Sequence, residues 1–124
     1  PSAWYIHLPD EAHFIQRIKP ILEKRLNESN MNGLTTTTKI NLTTHELILH
    51  IRHGEIFLIE LARLILGSEW NATFPPYVFN QLVMGYRSLT ELQYAYPDCL
   101  SDTETILLLN VLFPKKPSFV IPLG

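Results

Sequence analysis

The stretch Lys39-Ile40-Asn41-Leu42-Thr43-Thr44-His45-Glu46-Leu47-Ile48-Leu49-His50-Ile51-Arg52-His53-Gly54-Glu55-Ile56-Phe57-Leu58-Ile59 decides the fold. Ile40 and Leu42 alternate with Lys39, Asn41 and Thr43, and a run of threonines before them favours extended chain. Leu47, Leu49 and Ile51 alternate with Ile48, His50 and Arg52. A period of two belongs to strands, not helices. Thr44-His45 lies between the first two runs, which predicts a hairpin. His53-Gly54 predicts a second tight turn, with glycine supplying the positive φ. Glu55 to Ile59 then forms the third strand of an antiparallel meander. Leu61 to Leu66 reads as the end of that strand followed by irregular chain.

The flanks read as helix. Asp10 is an expected N-cap, and Phe14, Ile15, Ile18, Ile21, Leu22 and Leu26 follow at helical spacing. Pro20 inside this pattern should kink the helix or split it. Ahead of it, Trp4-Tyr5-Ile6-His7-Leu8 reads as a short strand. On the other side, Phe74-Pro75-Pro76 introduces a helix with a proline in its first turn, with Phe79, Leu82 and Val83 inward and Gly85 as its stop. Ser88-Leu89-Thr90-Glu91 and Ser101-Asp102-Thr103-Glu104 both have the form of a capping box. The helix after the second, Ile106 to Leu112, is apolar nearly all round and is expected to be deeply buried. Phe119-Val120-Ile121 is expected to be a final strand. The sum is an α+β domain spanning residues 1–124, with a mixed, mainly antiparallel sheet and helices packed on one face.

Composition narrows the function. The chain has 124 residues, enough for one domain with a real core. Its apolar fraction is 46% and its charged fraction 18%, which argues against disorder and suggests that another domain covers part of the surface. Net charge is −2, with no basic stripe, which argues against nucleic acid as a partner. No run reaches the about 18 apolar residues that a membrane span needs. Cys99 is the single cysteine, so no internal disulfide forms. The chain opens at Pro1, without Met and without a signal peptide, which reads as an excised piece or a processed chain.

Three groups of residues carry a family resemblance. They are Ile6-His7-Leu8-Pro9 with Ile18-Lys19-Pro20-Ile21-Leu22-Glu23-Lys24-Arg25-Leu26; Phe74-Pro75-Pro76 with Phe79-Asn80-Gln81-Leu82 and Gly85-Tyr86-Arg87-Ser88-Leu89; and Leu108-Leu109-Asn110 with Leu112-Phe113-Pro114-Lys115-Lys116-Pro117-Ser118. In this order the sequence is similar, over nearly its full length, to the C-terminal, sterol-carrier-protein-like domain of bacterial GNAT-type N-acetyltransferases of the enhanced-intracellular-survival kind. The resemblance implies a cytoplasmic enzyme of which this is the non-catalytic C-terminal domain. That domain would pack on N-terminal acetyltransferase domains, shape the acceptor-substrate cleft and support homo-oligomer assembly. In that family the chain's terminal carboxylate acts as a general base. Relatives commonly run past the position of Gly124, so no catalytic role is assigned to it. The resemblance implies acetyl-CoA for the parent enzyme. This chain carries no cofactor site of its own: its five glycines are unclustered, and GNAT enzymes cradle the pyrophosphate in a Gly-rich turn.

No residue is assigned a catalytic or metal-ligating role. His45, His50 and His53 suggest a metal site, but the favoured reading is sheet surface, since His50 and His53 point to opposite faces of a strand. Asp98-Cys99 suggests a nucleophile, and a structural thiol is favoured. Tyr86-Arg87 reads as a helix–helix corner, and Lys115-Lys116 as a solvated turn. Phe79, Leu82, Met84, Leu109, Phe113 and Val120 would line a lipid-sized cavity if the domain were a stand-alone binder of lipid or another small apolar ligand. A packed core is the simpler reading.

Overall fold

The computed structural model describes residues 11–116. The expected strand at Trp4–Leu8, the Asp10 cap, Val120 and the strand at Phe119–Ile121 lie outside the described residues. Helix α1 spans Glu11–Asn27, strands β1, β2 and β3 span Thr36–Asn41, Glu46–Arg52 and Glu55–Ala62, and β4 is Ala72–Thr73. Helices α2 and α3 span Val78–Val83 and Leu89–Ala95, β5 is Leu100–Ser101, and α4 spans Thr103–Leu112. The fold is α+β, with a mixed five-stranded sheet in the order β3-β2-β1-β4-β5.

The meander forms as its period predicts. β1 pairs antiparallel with β2, Ile40 opposite Leu47 and Thr38 opposite Leu49, and β2 pairs antiparallel with β3. One face of these strands presents Thr38, Ile40, Leu47, Leu49, Ile51 and Ile56, all buried. His53 and Gly54 both have positive φ, 52° and 80°, as the two central residues of a primed hairpin turn require. Strict alternation fails once. The register shifts between His50 and Ile51, which pair with Leu58 and Ile56, so Phe57 is an extra residue. This bulge turns Phe57 outward while Ile56 and Ile59 both stay on the core side.

Two elements were not anticipated. Ala72–Thr73 runs parallel to the end of β1, and Leu100–Ser101 pairs antiparallel with it. Strands of two residues carry no readable period.

The helices differ from their sequence pattern in detail. α1 is not split at Pro20 and runs 17 residues through it. Gln16 and Pro20 both lie on its exposed side, where water can satisfy the carbonyl that the proline leaves unbonded. Its buried stripe is Ile15, Leu22 and Leu26, while Ile21 is 49% exposed because it sits one position off that stripe. α2 begins at Val78 after a left-handed Tyr77, so both prolines precede the helix. α4 is capped by Asp102, whose side chain accepts from the Thr105 N–H at 2.7 Å, not by Ser101. Finally, α4 buries Thr105, Leu108, Leu109 and Leu112 but leaves Leu107 54% exposed. Its outer flank is the wall of a cleft, so the helix is covered on one side only.

The Ser88 capping box is present in full: Ser88 Oγ accepts from Glu91 N–H and the Glu91 carboxylate accepts from Ser88 N–H. Arg25 donates to the Leu112 carbonyl at 2.7 Å, tying the end of α1 to the end of α4. Burial lowers the Arg25 pKa.

Candidate functional site

The sequence candidates separate into three places. Phe79, Leu82, Leu109 and Phe113 are buried in the core. Phe79 meets Phe74 and Phe113 edge-on, with ring centroids 5.0 and 6.0 Å apart, a favourable aromatic geometry. Met84 is half-buried at the end of α2. Four of the described members of the set are thus core side chains, with Phe79 and Phe113 in direct contact, and Met84 stands at their margin.

The histidines do not converge. His45 Nε2 meets Glu11 Oε1 at 3.1 Å and its Nδ1 meets Thr44 Oγ1 at 2.7 Å. His50 Nε2 meets Glu60 Oε1 at 2.6 Å, with Thr37 Oγ1 at 3.5 Å from its Nδ1. Both rings use their two nitrogens on protein partners, and His53 sits in the turn. Among the described residues no group of three or more His, Cys, Asp or Glu side chains is placed to hold a metal ion.

Cys99 is buried, and desolvation pushes its thiol up to about 11. It is therefore a neutral thiol near pH 7, a poor nucleophile. Gly85, with φ of 76°, ends α2 and Ser88 caps α3, so Tyr86-Arg87 forms the expected corner. Lys115 reaches Glu91 at 3.0 Å. The Ser88 backbone bond, then Lys115, hold the Glu91 carboxyl below its usual range.

Two surfaces remain. The first is the sheet face opposite the core. It displays Thr37, Lys39, His50, Arg52, Phe57, Leu58 and Glu60. Phe57 and Leu58 are 47% and 45% exposed, and the Arg52 guanidinium lies 4.3 Å from the centroid of the Phe57 ring. Exposed Leu61, near the end of β3, stands opposite Leu47 and so belongs to the other side of the sheet, and Ile65 and Leu66 are exposed in the chain after the strand. Among the described residues, the far end of β2 is covered on the face away from the core. There Trp70 Nε1 donates to buried Glu46 at 2.8 Å.

The second is a cleft of about 430 Å³ between β1 and α4. Met31, Leu34 and Leu108 supply apolar surface, while Thr35 to Thr38, Asn71, Glu104 and Thr105 supply polar groups. Asn71 stands at its end: its N–H donates to the Lys39 carbonyl at 2.8 Å, and its side-chain oxygen accepts from the Lys39 N–H at 2.8 Å. Its side-chain amide donates to Asp102 at 3.0 Å. Burial by itself would raise the Asp102 pKa, but hydrogen bonds from Thr105 and Asn71 outweigh it and hold the carboxyl low. Sequence reading missed this cleft. The available signal was the run Thr35-Thr36-Thr37-Thr38, polar on both faces of a strand and so suited to a sheet edge.

Family models, curated proteins and solved structures offer no match to this chain. No helix among the described residues is long and apolar enough to cross a membrane.

Proposed function

We propose that this domain is the non-catalytic, sterol-carrier-protein-like C-terminal domain of a GNAT-type N-acetyltransferase, working in the cytoplasm. It packs on the acetyltransferase domains of its parent polypeptide, helps shape the acceptor-substrate cleft and supports assembly. The acetyl-CoA chemistry belongs to those other domains. The observation that supports this reading is the sheet face carrying Phe57 and Leu58, each nearly half exposed, with Arg52 stacked on Phe57. Apolar groups rimmed by charge suit a surface that another domain covers. The order of the Phe74-Pro75-Pro76, Gly85-Tyr86-Arg87-Ser88-Leu89 and Leu112-Phe113-Pro114-Lys115-Lys116 groups supports the choice of family.

The test has two arms. Titration calorimetry of acetyl-CoA into the chain alone should give no heat of binding, and micromolar binding would contradict the reading. In the full parent polypeptide, F57E with L58E should open the domain contact. Limited proteolysis would then release the domain, and the KM for the amine acceptor would rise. Unchanged proteolysis and kinetics would overturn it.

A further inference from the structure

The edge of β1 stops being paired before the strand ends. Lys39 and Asn41 point their backbone groups away from β2: the Lys39 carbonyl accepts from Asn71 N–H, and the Asn41 carbonyl from Phe74 N–H at 2.8 Å. Backbone groups of an antiparallel strand alternate in direction, so Thr37 shares their orientation. The β4 ladder reaches only Ile40 and Asn41. The Lys39 N–H is met by the Asn71 side chain in place of a neighbouring strand. At Thr37 no described element continues the ladder, and Thr37 lines the cleft between β1 and α4. A backbone N–H and C=O held in strand geometry in a walled cleft form a template for one more strand.

We propose that this cleft binds an extended peptide segment by strand addition at Thr37, and that the peptide carries an apolar side chain beside a lysine or arginine. The backbone groups of Thr37 call for a ligand with its own N–H and C=O at strand spacing, which a peptide supplies. Met31, Leu34 and Leu108 form the apolar contact for one side chain. Glu104 supplies charge complementarity from the opposite wall, and no basic side chain pairs with it among the described residues. Thr38 and Thr105 are buried at the base of the cleft, so its floor is fixed by packing before any ligand arrives. The volume of about 430 Å³ suits a few residues, not a folded partner. This site lies on the sheet edge, away from Phe57 and Leu58, and is independent of the assignment to an acetyltransferase.

Three peptides test it by amide-resolved NMR titration: Lys-Val-Lys-Val-Lys, the same peptide N-methylated at both valines, and Glu-Val-Glu-Val-Glu. The lysine peptide should bind and shift the amides of Thr36, Thr37, Thr38 and Asn71. N-methylation should weaken it by about five- to tenfold, the worth of a hydrogen bond. E104Q should narrow the preference for the lysine peptide over the glutamate peptide. T37P removes the outward N–H without touching the bonds to β2, and should weaken binding at an unchanged thermal midpoint. If T37P unfolds, the N-methylated peptide carries the same question from the ligand side. Absence of binding, equal binding after N-methylation, or shifts confined to α4 would each overturn strand addition.

Discussion

Single residues here act through backbone geometry and caps. Gly33 and Gly54 share a positive φ, 76° and 80°, but differ in surroundings. A Cβ on Gly33 meets nothing within 4 Å, whereas one on Gly54 meets Asn27 Oδ1 at 2.8 Å and Gly33 N at 3.3 Å. Gly33→Ala should therefore cost only the backbone strain, about 1 kcal/mol. Gly54→Ala should cost more, about 2–3 kcal/mol, because a clash adds to the strain. Urea denaturation of the two variants checks the order, and equal costs would contradict it. Asp102 both caps α4 and holds Asn71. Asp102→Ala should cost at least the about 1 kcal/mol of a lost cap. The folded-state pKa of Asp102 is depressed below 3.8, so its contribution is present above that pH and is lost as pH falls through the folded value. Asp102→Asn keeps a cap but removes the titration. Its urea midpoint should fall less steeply than that of the native chain below pH 3.8.

At the scale of elements, burial rather than average hydropathy decides what a side chain is worth. The helix that reads as apolar all round, α4, has a core side and a cleft side. Leu109 is fully buried and Leu107 is 54% exposed. Leu109→Ala, or Phe113→Ala, should cost about 2–5 kcal/mol by leaving a cavity. Leu107→Ala should stay within about 0.5 kcal/mol. Chemical denaturation separates them, and similar losses at Leu107 and Leu109 would show that the helix is covered on both sides. The meander, the Ser88 box and the Gly85 stop were readable because each rests on neighbours in sequence. The Phe57 bulge was not. It arises because Ile56 and Ile59 must both reach a core built by other elements, and no local preference records that demand.

For the whole molecule, the same aromatic residues bear on packing and on ligand binding. Phe74, Phe79 and Phe113 touch in series across the helical layer, which places dense side-chain contact where a lipid tunnel would need space. The protein should therefore purify without a stoichiometric lipid. Native mass spectrometry after gentle isolation checks this. A fatty acid or sterol adduct lost in a folded Leu109→Asp variant would favour the apolar-ligand module. The sheet has one face against the helices and one displaying Phe57, Leu58 and Arg52, and the second is the face that the proposed domain contact would use.

The amino-acid sequence alone determined the class, the hairpins, the Gly85 stop of α2 and the Ser88 start of α3. Period two from Lys39 to Ile59 and helical spacing in α1 are local properties, and they survive because the tertiary structure buries the stripes they create. Sequence reading placed His50 and His53 on opposite faces of one strand, whereas β2 ends at Arg52 and His53, with φ of 52°, stands in the turn that follows. The tertiary structure alone decided that Ala72–Thr73 lies parallel to β1 and that Leu100–Ser101 extends the sheet, because two residues pair only when a neighbour brings them together. It alone decided that Asp102, not Ser101, caps α4: Asn71 holds the Asp102 carboxylate from another part of the chain. The open edge at Thr37 has the same origin. It exists because β4 is short and Asn71 ends the ladder, which are facts about partners in space and not about the threonines themselves.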